Sequence, residues 1–256
     1  MTEELLFEVA DGIGRITFNR PAQRNALTWA MYDGLVEAVG RADRDDGVRA
    51  LVITGAGEKA FAAGTDIGQF REFRTPADAI GYEERIERVL NVLENCRVPT
   101  IAAIAGACTG GGAAIAACCD LRIAAAGARF GFPIAKTLGN CLSMTNLARL
   151  SALIGAARVK EVIFTARLIE ADEAQRIGLV SEVVAPEALA GRADALAQTV
   201  AGLAPLTLRA TKRALHKLRP DIVEDEELIL MCYQSADFRE GMDAFLAKRP
   251  PVWQGA

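Results

Sequence analysis

The spacing of hydrophobic and polar positions changes several times along the chain, and each change predicts an element. Residues 5–9 and 13–18 are two β-rich runs separated by Asp11-Gly12, a hairpin signal. Thr28 is placed to cap a helix running to about Arg44, with Met31, Leu35, Val36 and Val39 on one face. Residues 50–54 form a continuous apolar-rich run closed by Gly55, which suits a strand covered on both faces. A second cycle follows. Helical periodicity through Ile86, Val89, Leu90 and Leu93 spans residues 78–96, Pro99 ends it, and residues 100–105 predict another buried strand. A glycine-rich turn, a helix over 113–119 and a strand over 121–124 come next. This alternation predicts an α/β fold with right-handed crossovers. From about Asn140 the pattern is helical apart from residues 179–184, with helices predicted over 144–153, 159–165, 171–177, 187–202, 206–217 and 224–248.

Composition narrows the function classes. With 256 residues, 51% of them hydrophobic and 24% charged, the chain can build one large core, alone or with a helical appendage. A formal net charge of −4, with both signs mixed along the chain, argues against a nucleic-acid binder. His216 is the only histidine, so a multi-histidine metal site is excluded, no metal is expected, and a Ser-His-Asp triad could draw on no other. Six cysteines form no C-x-x-C pair, and the acidic start Met1-Thr2-Glu3-Glu4 is unlike a signal peptide, so reduced thiols in the cytoplasm are expected. Residues 98–119 carry no charge and are long enough to suggest a membrane span. Their Ala, Gly, Thr and Cys content, broken by Gly110-Gly111-Gly112, predicts a buried strand, a tight turn and a buried helix instead, and no membrane is expected.

Two glycine-containing loops follow predicted strands. One is Ala60-Phe61-Ala62-Ala63-Gly64-Thr65-Asp66-Ile67 and the other is Gly106-Ala107-Cys108-Thr109-Gly110-Gly111-Gly112-Ala113. In open α/β sheets ligands bind beyond the carboxyl ends of strands, where both loops fall. The glycines also open a helix, whose first amides have no intrahelical partner and favour negative charge. One amide from each loop could pinch a single carbonyl oxygen. Three glycines can equally serve only to pack a helix tightly on a sheet. Neither loop fits a nucleotide P-loop or a Rossmann fingerprint.

Taken in order, these segments resemble the crotonase (enoyl-CoA hydratase/isomerase) superfamily along nearly the whole chain. The matching stretches are Phe18-Asn19-Arg20-Pro21 with Arg24-Asn25-Ala26-Leu27, then Phe61-Ala62-Ala63-Gly64-Thr65-Asp66-Ile67, then residues 101–120. Phe130-Gly131-Phe132-Pro133, residues 171–180 and Arg239-Glu240-Gly241 through Phe245 continue the match. The resemblance implies a ββα superhelical core over residues 1–195 and a C-terminal helical region, 196–256, that assembles trimers or dimers of trimers. It implies that the backbone N–H groups of Thr65 and Gly111 form an oxyanion hole for an acyl-CoA thioester. Coenzyme A then arrives on the substrate, and no resident cofactor is needed. Arg24 and Ala26 resemble contacts to its ribose-phosphate end, and Ala63 with Ala62, Asp66 and Ile67 the part that receives adenine. Phe245 and Lys248 resemble positions that touch CoA across a subunit contact.

The chain departs from the family's hydratases at two positions. They carry two glutamates that activate and deliver water, where this chain has Ala114 and Ile134. Neither side chain can transfer a proton, and residues 136–144 also differ from the usual glycine-rich stretch. Replacement groups are sought nearby. Tyr82, Glu83 and Glu84 start a helix that borders the acyl pocket in the family, although alternation with Arg85 and Arg88 equally describes a solvated face. Asn140, Cys141 and Ser143 occupy the altered loop, as acyl-pocket candidates or as loop and helix-cap residues. Tyr233 and Asp237 read as core and surface, and His216 among Lys212, Arg213, Lys217 and Arg219 as a basic helical face. The expectation is an enzyme that stabilises a thioester enolate for isomerase, lyase or atypical hydratase chemistry. Its alternative is a catalytically silent acyl-CoA-binding paralogue.

Overall fold

The structure is a computed structural model, and it describes residues 3–218 and 226–254. Strands β1 (Leu5–Ala10) and β2 (Ile13–Phe18) pair antiparallel across Asp11-Gly12, both of which take positive φ. Helix α1 (Trp29–Arg44) starts where the Thr28 side chain accepts from the Met31 N–H. Three cycles of two strands and a helix follow. They are β3 (Ala50–Gly55), β4 (Ala60–Ala62) and α2 (Pro76–Glu94); β5 (Thr100–Ile104), β6 (Ala107–Thr109) and α3 (Gly111–Cys118); and β7 (Leu121–Ala125), β8 (Arg129–Gly131) and α4 (Ile134–Thr137). The chain continues through α5 (Met144–Ile154), α6 (Ala156–Thr165), β9 (Ile169–Glu170), α7 (Ala171–Arg176), β10 (Glu182–Val184), α8 (Leu189–Ala201) and α9 (Pro205–Lys217). It closes with α10 (Glu226–Tyr233) and α11 (Ala236–Leu246).

The first strand of each cycle joins a six-stranded sheet ordered β1-β2-β3-β5-β7-β10, parallel except at β1–β2. The second strand joins a four-stranded sheet ordered β4-β6-β8-β9. The chain thus winds as ββα turns around a shared core, the α/β architecture expected. Side-chain alternation explains the apolar runs. Leu51, Ile53, Ala102 and Ile104 enter the main core with α1, α2 and α3, while Ala50, Val52, Ile101 and Ala103 face Leu189, Ala193 and Ala197 of α8. A third cluster, including Phe70, Leu138, Ile229, Tyr233 and Phe238, holds α10 and α11 over the ends of α2 and α4.

Several expected boundaries shift. Residues 60–62 and 107–109, read as loop, are β4 and β6, because three-residue runs are too short to show alternation. The helix expected over 113–119 begins at Gly111, and the strand expected over 179–184 shortens to β10 because the Leu179 and Val180 N–H groups turn back to Ala174 O. The single helix expected over 224–248 is two. The Ser235 side chain accepts from the Phe238 N–H and starts α11 afresh, while residues 224 and 225 lie outside the described residues. The uncharged stretch at 98–119 is β5, β6 and α3, and among the described residues no helix is long and apolar enough to cross a membrane.

Candidate active site

Parallel pairing of β4 with β6 sets Ala60 beside Ala107 and Ala62 beside Cys108, so the loops leaving both strands emerge together. They interlock through glycine. Gly64 takes φ +106° and Gly110 φ +53°, and a Cβ on Gly110 would stand 3.4 Å from Gly64 Cα. A Cβ on Gly112 would lie 2.3 Å from the Ala62 carbonyl oxygen, and one on Gly111 2.3 Å from the Tyr32 hydroxyl. No side chain fits at either position without displacing its neighbours. Gly111 opens α3, and among the described residues neither its N–H nor that of Thr65 meets a protein acceptor. The Leu27 N–H donates to Gly64 O and the Asp66 N–H donates to Leu27 O, which holds the Thr65 segment in place.

Hydroxyl groups gather behind these two amides. Thr65 Oγ1 lies 2.8 Å from the Tyr32 hydroxyl and 3.1 Å from the Tyr82 hydroxyl. Burial pushes both phenols above the usual range. For Tyr32 the Thr65 hydrogen bond partly offsets this; for Tyr82 the neighbouring Tyr32 and Glu83 add to it. Tyr32 escapes a reading of the sequence because it sits on the apolar face of α1 beside Met31 and Leu35. The available signal was a phenol on a fully buried face, where its hydroxyl must find a partner.

One buried carboxylate reaches the same space. Glu83 is buried at 7% exposure while Glu84 points to solvent, so the paired-glutamate face divides between the two alternatives. The Tyr233 hydroxyl donates to Glu83 Oε1 at 2.6 Å, and Asn140 Nδ2 donates to the Tyr233 oxygen at 3.2 Å. Burial, followed by the charge of Glu83, holds the Tyr233 phenol well above its usual pKa. Thr65, Gly111, Tyr82, Glu83 and Asn140 all line one cavity of about 680 Å³, room enough for an acyl group. Tyr233, expected as plain core, is the buried residue that orients Glu83.

A family model described as enoyl-CoA hydratase/isomerase matches residues 8–256. The chain belongs to the enoyl-CoA hydratase/isomerase family. It is similar to a short-chain-enoyl-CoA hydratase of Clostridium acetobutylicum, 36% identical over 250 residues that cover 96% of this chain and 95% of that protein. Among solved structures, an enoyl-CoA hydratase/carnithine racemase from Magnetospirillum magneticum aligns with TM-score 0.82 at 34% identity, covering 100% of this chain and 97% of that one. A methylmalonyl-CoA decarboxylase in complex with 2-nitronate-propionyl-CoA aligns with TM-score 0.89 at 27% identity over 100% of both chains.

In this member of the enoyl-CoA hydratase/isomerase family, most of the residues singled out by sequence meet at the cavity. Ala114 and Ile134 are on its wall, and Arg24, Ala26, Ala63, Asp66, Ile67 and Phe245 line it too. Arg24 is exposed in a left-handed turn, and its carbonyl accepts from the Ala63 N–H, which ties the two stretches together. Asp66 accepts from Arg20 at 3.1 Å and caps the turn at Gly68. Three residues fall elsewhere. Ala62 is wholly buried in β4, its side chain under Gly112. Ser143 caps α5, accepting from the Asn146 N–H, and does not line the cavity. Lys248 is exposed just beyond α11, also off the cavity wall. His216 is in the last turn of α9, away from the cavity. Lys212 of that helix is no free basic group, because it meets Asp120 at 2.8 Å, while Arg219 lies outside the described residues.

Proposed function

We propose that this protein is an acyl-CoA-processing enzyme that stabilises a thioester enolate between the Thr65 and Gly111 amides, with Glu83 transferring the proton. The observation that carries this reading is the shared cavity: two amides without a protein acceptor among the described residues and one buried, Tyr233-oriented carboxylate belong to residues that line the same space. In the reaction read here, Glu83 removes a proton from the carbon next to the thioester. The electron pair moves onto the thioester oxygen, and the two amides stabilise that oxygen as its charge develops. Return of the proton at another carbon gives isomerisation. Loss of a substituent one carbon further gives a lyase, and the reverse of such a loss, with water, gives hydration. A single carboxylate suits a step in which one group both takes and returns the proton. Arg24, Ala26 and Ala63 at the cavity mouth are read as the CoA-contacting side, and residues 196–256 as the region through which copies assemble.

A catalytically silent acyl-CoA binder is the second reading, favoured by Ala114 and Ile134 on the cavity wall where the resemblance expects glutamates. Mass spectrometry of a varied acyl-CoA panel incubated with the protein in heavy water separates the two. Deuterium uptake, added water or a cleaved acyl chain is expected, reduced about 10²–10⁴-fold in Glu83→Gln while thioester binding persists. Binding of every thioester without exchange or change would leave only the silent reading. Full exchange by Glu83→Gln would remove Glu83 from the chemistry.

A further inference from the structure

The chain of hydroxyls behind the amides holds one proton more than its own contacts use. Tyr32, Thr65 and Tyr82 bring three hydroxyl protons, and the contacts at 2.8 Å and 3.1 Å consume two. Tyr32 is 1% exposed, and among the described residues its hydroxyl meets only Thr65. If Tyr32 only accepted from Thr65, its own proton would be buried without an acceptor, an arrangement folded interiors avoid. Tyr32 therefore donates to Thr65, and the spare proton lies on the Thr65–Tyr82 side, which lines the cavity. A phenol is a stronger acid than an aliphatic alcohol. Facing a developing anion, the favoured chain runs head to tail, Tyr32 to Thr65 to Tyr82 to ligand, each bond polarising the next.

We propose that Tyr82 is a further catalytic residue: its hydroxyl gives the thioester oxygen a third hydrogen bond as that oxygen becomes enolate-like. Tyr32 is the positioning residue that sets the direction of the chain through Thr65. The inference rests on the enolate reading of the cavity given above. The proton is shared with the enolate oxygen and remains on the phenol, which burial and the nearby Tyr32 and Glu83 keep protonated. The Tyr32 hydroxyl also fills the space beside Gly111 where a Cβ would stand, so it touches both residues that supply the amides.

Tyr82→Phe, Tyr32→Phe and the double variant test this, since phenylalanine keeps the ring contacts of Tyr82 with Trp29, Phe70 and Phe73. Two readouts serve: exchange of the hydrogen next to the thioester in heavy water, and the absorption of bound arylacryloyl-CoA, whose band moves to the red as its carbonyl is polarised. Tyr82→Phe is expected to slow exchange about 10²–10³-fold with KM little changed, and to shrink the red shift. Tyr32→Phe should cause a smaller loss in both, and the double variant should be no worse than Tyr82→Phe alone, as for groups acting as a unit. Unchanged exchange and red shift in Tyr82→Phe overturn the proposal, and a loss in Thr65→Ala would then hand the spare proton to Thr65. Additive losses in the double variant overturn the role of Tyr32. Wild-type protein that neither exchanges hydrogen nor shifts the chromophore fails at the earlier step, the enolate reading itself.

Discussion

At the scale of single residues, the site depends on what is missing as much as on what is present. Gly111 has no side chain, and the Tyr32 hydroxyl occupies the place one would take. Gly111→Ala should therefore push Tyr32 or α3 aside and tilt the amide proposed as an oxyanion donor. The expected loss is about 10²–10³-fold in kcat, near that for deleting such a donor, with acyl-CoA binding retained by calorimetry. A fully active Gly111→Ala would mean that the amide is not aimed at the reacting oxygen. The glycine turn that opens α3 was legible from sequence, because three glycines in a row after a buried strand mark a close backbone approach, and the structure puts Gly111 and Gly112 where a side chain would collide. The Tyr32 hydroxyl and the Tyr233 hand-off to Glu83 were not, since their partners lie 33 and 150 positions away in sequence.

At the scale of an element, α2 shows how a charged face can be misread. Glu83, Glu87, Asn91 and Glu94 recur at helical spacing and look solvated, but Glu83 and Glu94 are buried and Glu87 is half-buried, with Asn91 at the exposed edge of the stripe. Arg149 of α5, 2% exposed, meets Glu87 at 2.6 Å, Glu94 at 3.0 Å and Asn91 at 2.8 Å. Burial would lower the pKa of that guanidinium, and the hydrogen bond and charges of its carboxylates more than reverse this. The same stripe delivers Glu83 to the cavity, and Arg149 also donates to Asn146, which lines it. Arg149→Met would strand two carboxylates, one of them buried, and should cost about 3–5 kcal/mol in urea unfolding. A cost below about 1 kcal/mol, the range of exposed pairs, would show the cluster to be open to water. Periodicity found α2 itself from Ile86, Val89, Leu90 and Leu93. It could not find the cation facing the opposite stripe, because Arg149 comes 55 positions after Glu94.

At the scale of the whole molecule, the ββα winding and the C-terminal cover divide the work. The turns present both amides from strand ends, while α10 and α11 bring Tyr233 onto Glu83 and Phe245 to the cavity wall from the far end of the chain. Gly241 of α11 sits so close that a Cβ would come within 2.7 Å of the Leu138 carbonyl. The proposed reading turns on what the cavity wall carries at Ala114 and Ile134. Ala114→Glu with Ile134→Glu should therefore raise hydration of a short enoyl-CoA above the parent, followed by loss of the enoyl absorbance, provided circular dichroism shows the fold retained. No gain in a folded variant would show that more than two acids separates this wall from a hydratase's. The coarse winding was legible because its buried strands are continuous apolar runs. The second sheet was not, because β4, β6 and β8 are three residues each.

The interlock of Gly64, Gly110, Gly111 and Gly112 also bears on how such a catalyst can change. Positive φ at Gly64 and Gly110, and the Tyr32 hydroxyl and Ala62 carbonyl crowding Gly111 and Gly112, leave those positions almost no variation, whereas Ala114, Ile134 and Asn140 line the cavity and face open volume. The pocket is in effect two materials, a rigid glycine anvil and a replaceable lining; under the proposed reading the first fixes where negative charge collects and the second decides what happens next to it. Reassigning the reaction in the laboratory should begin with libraries restricted to that lining.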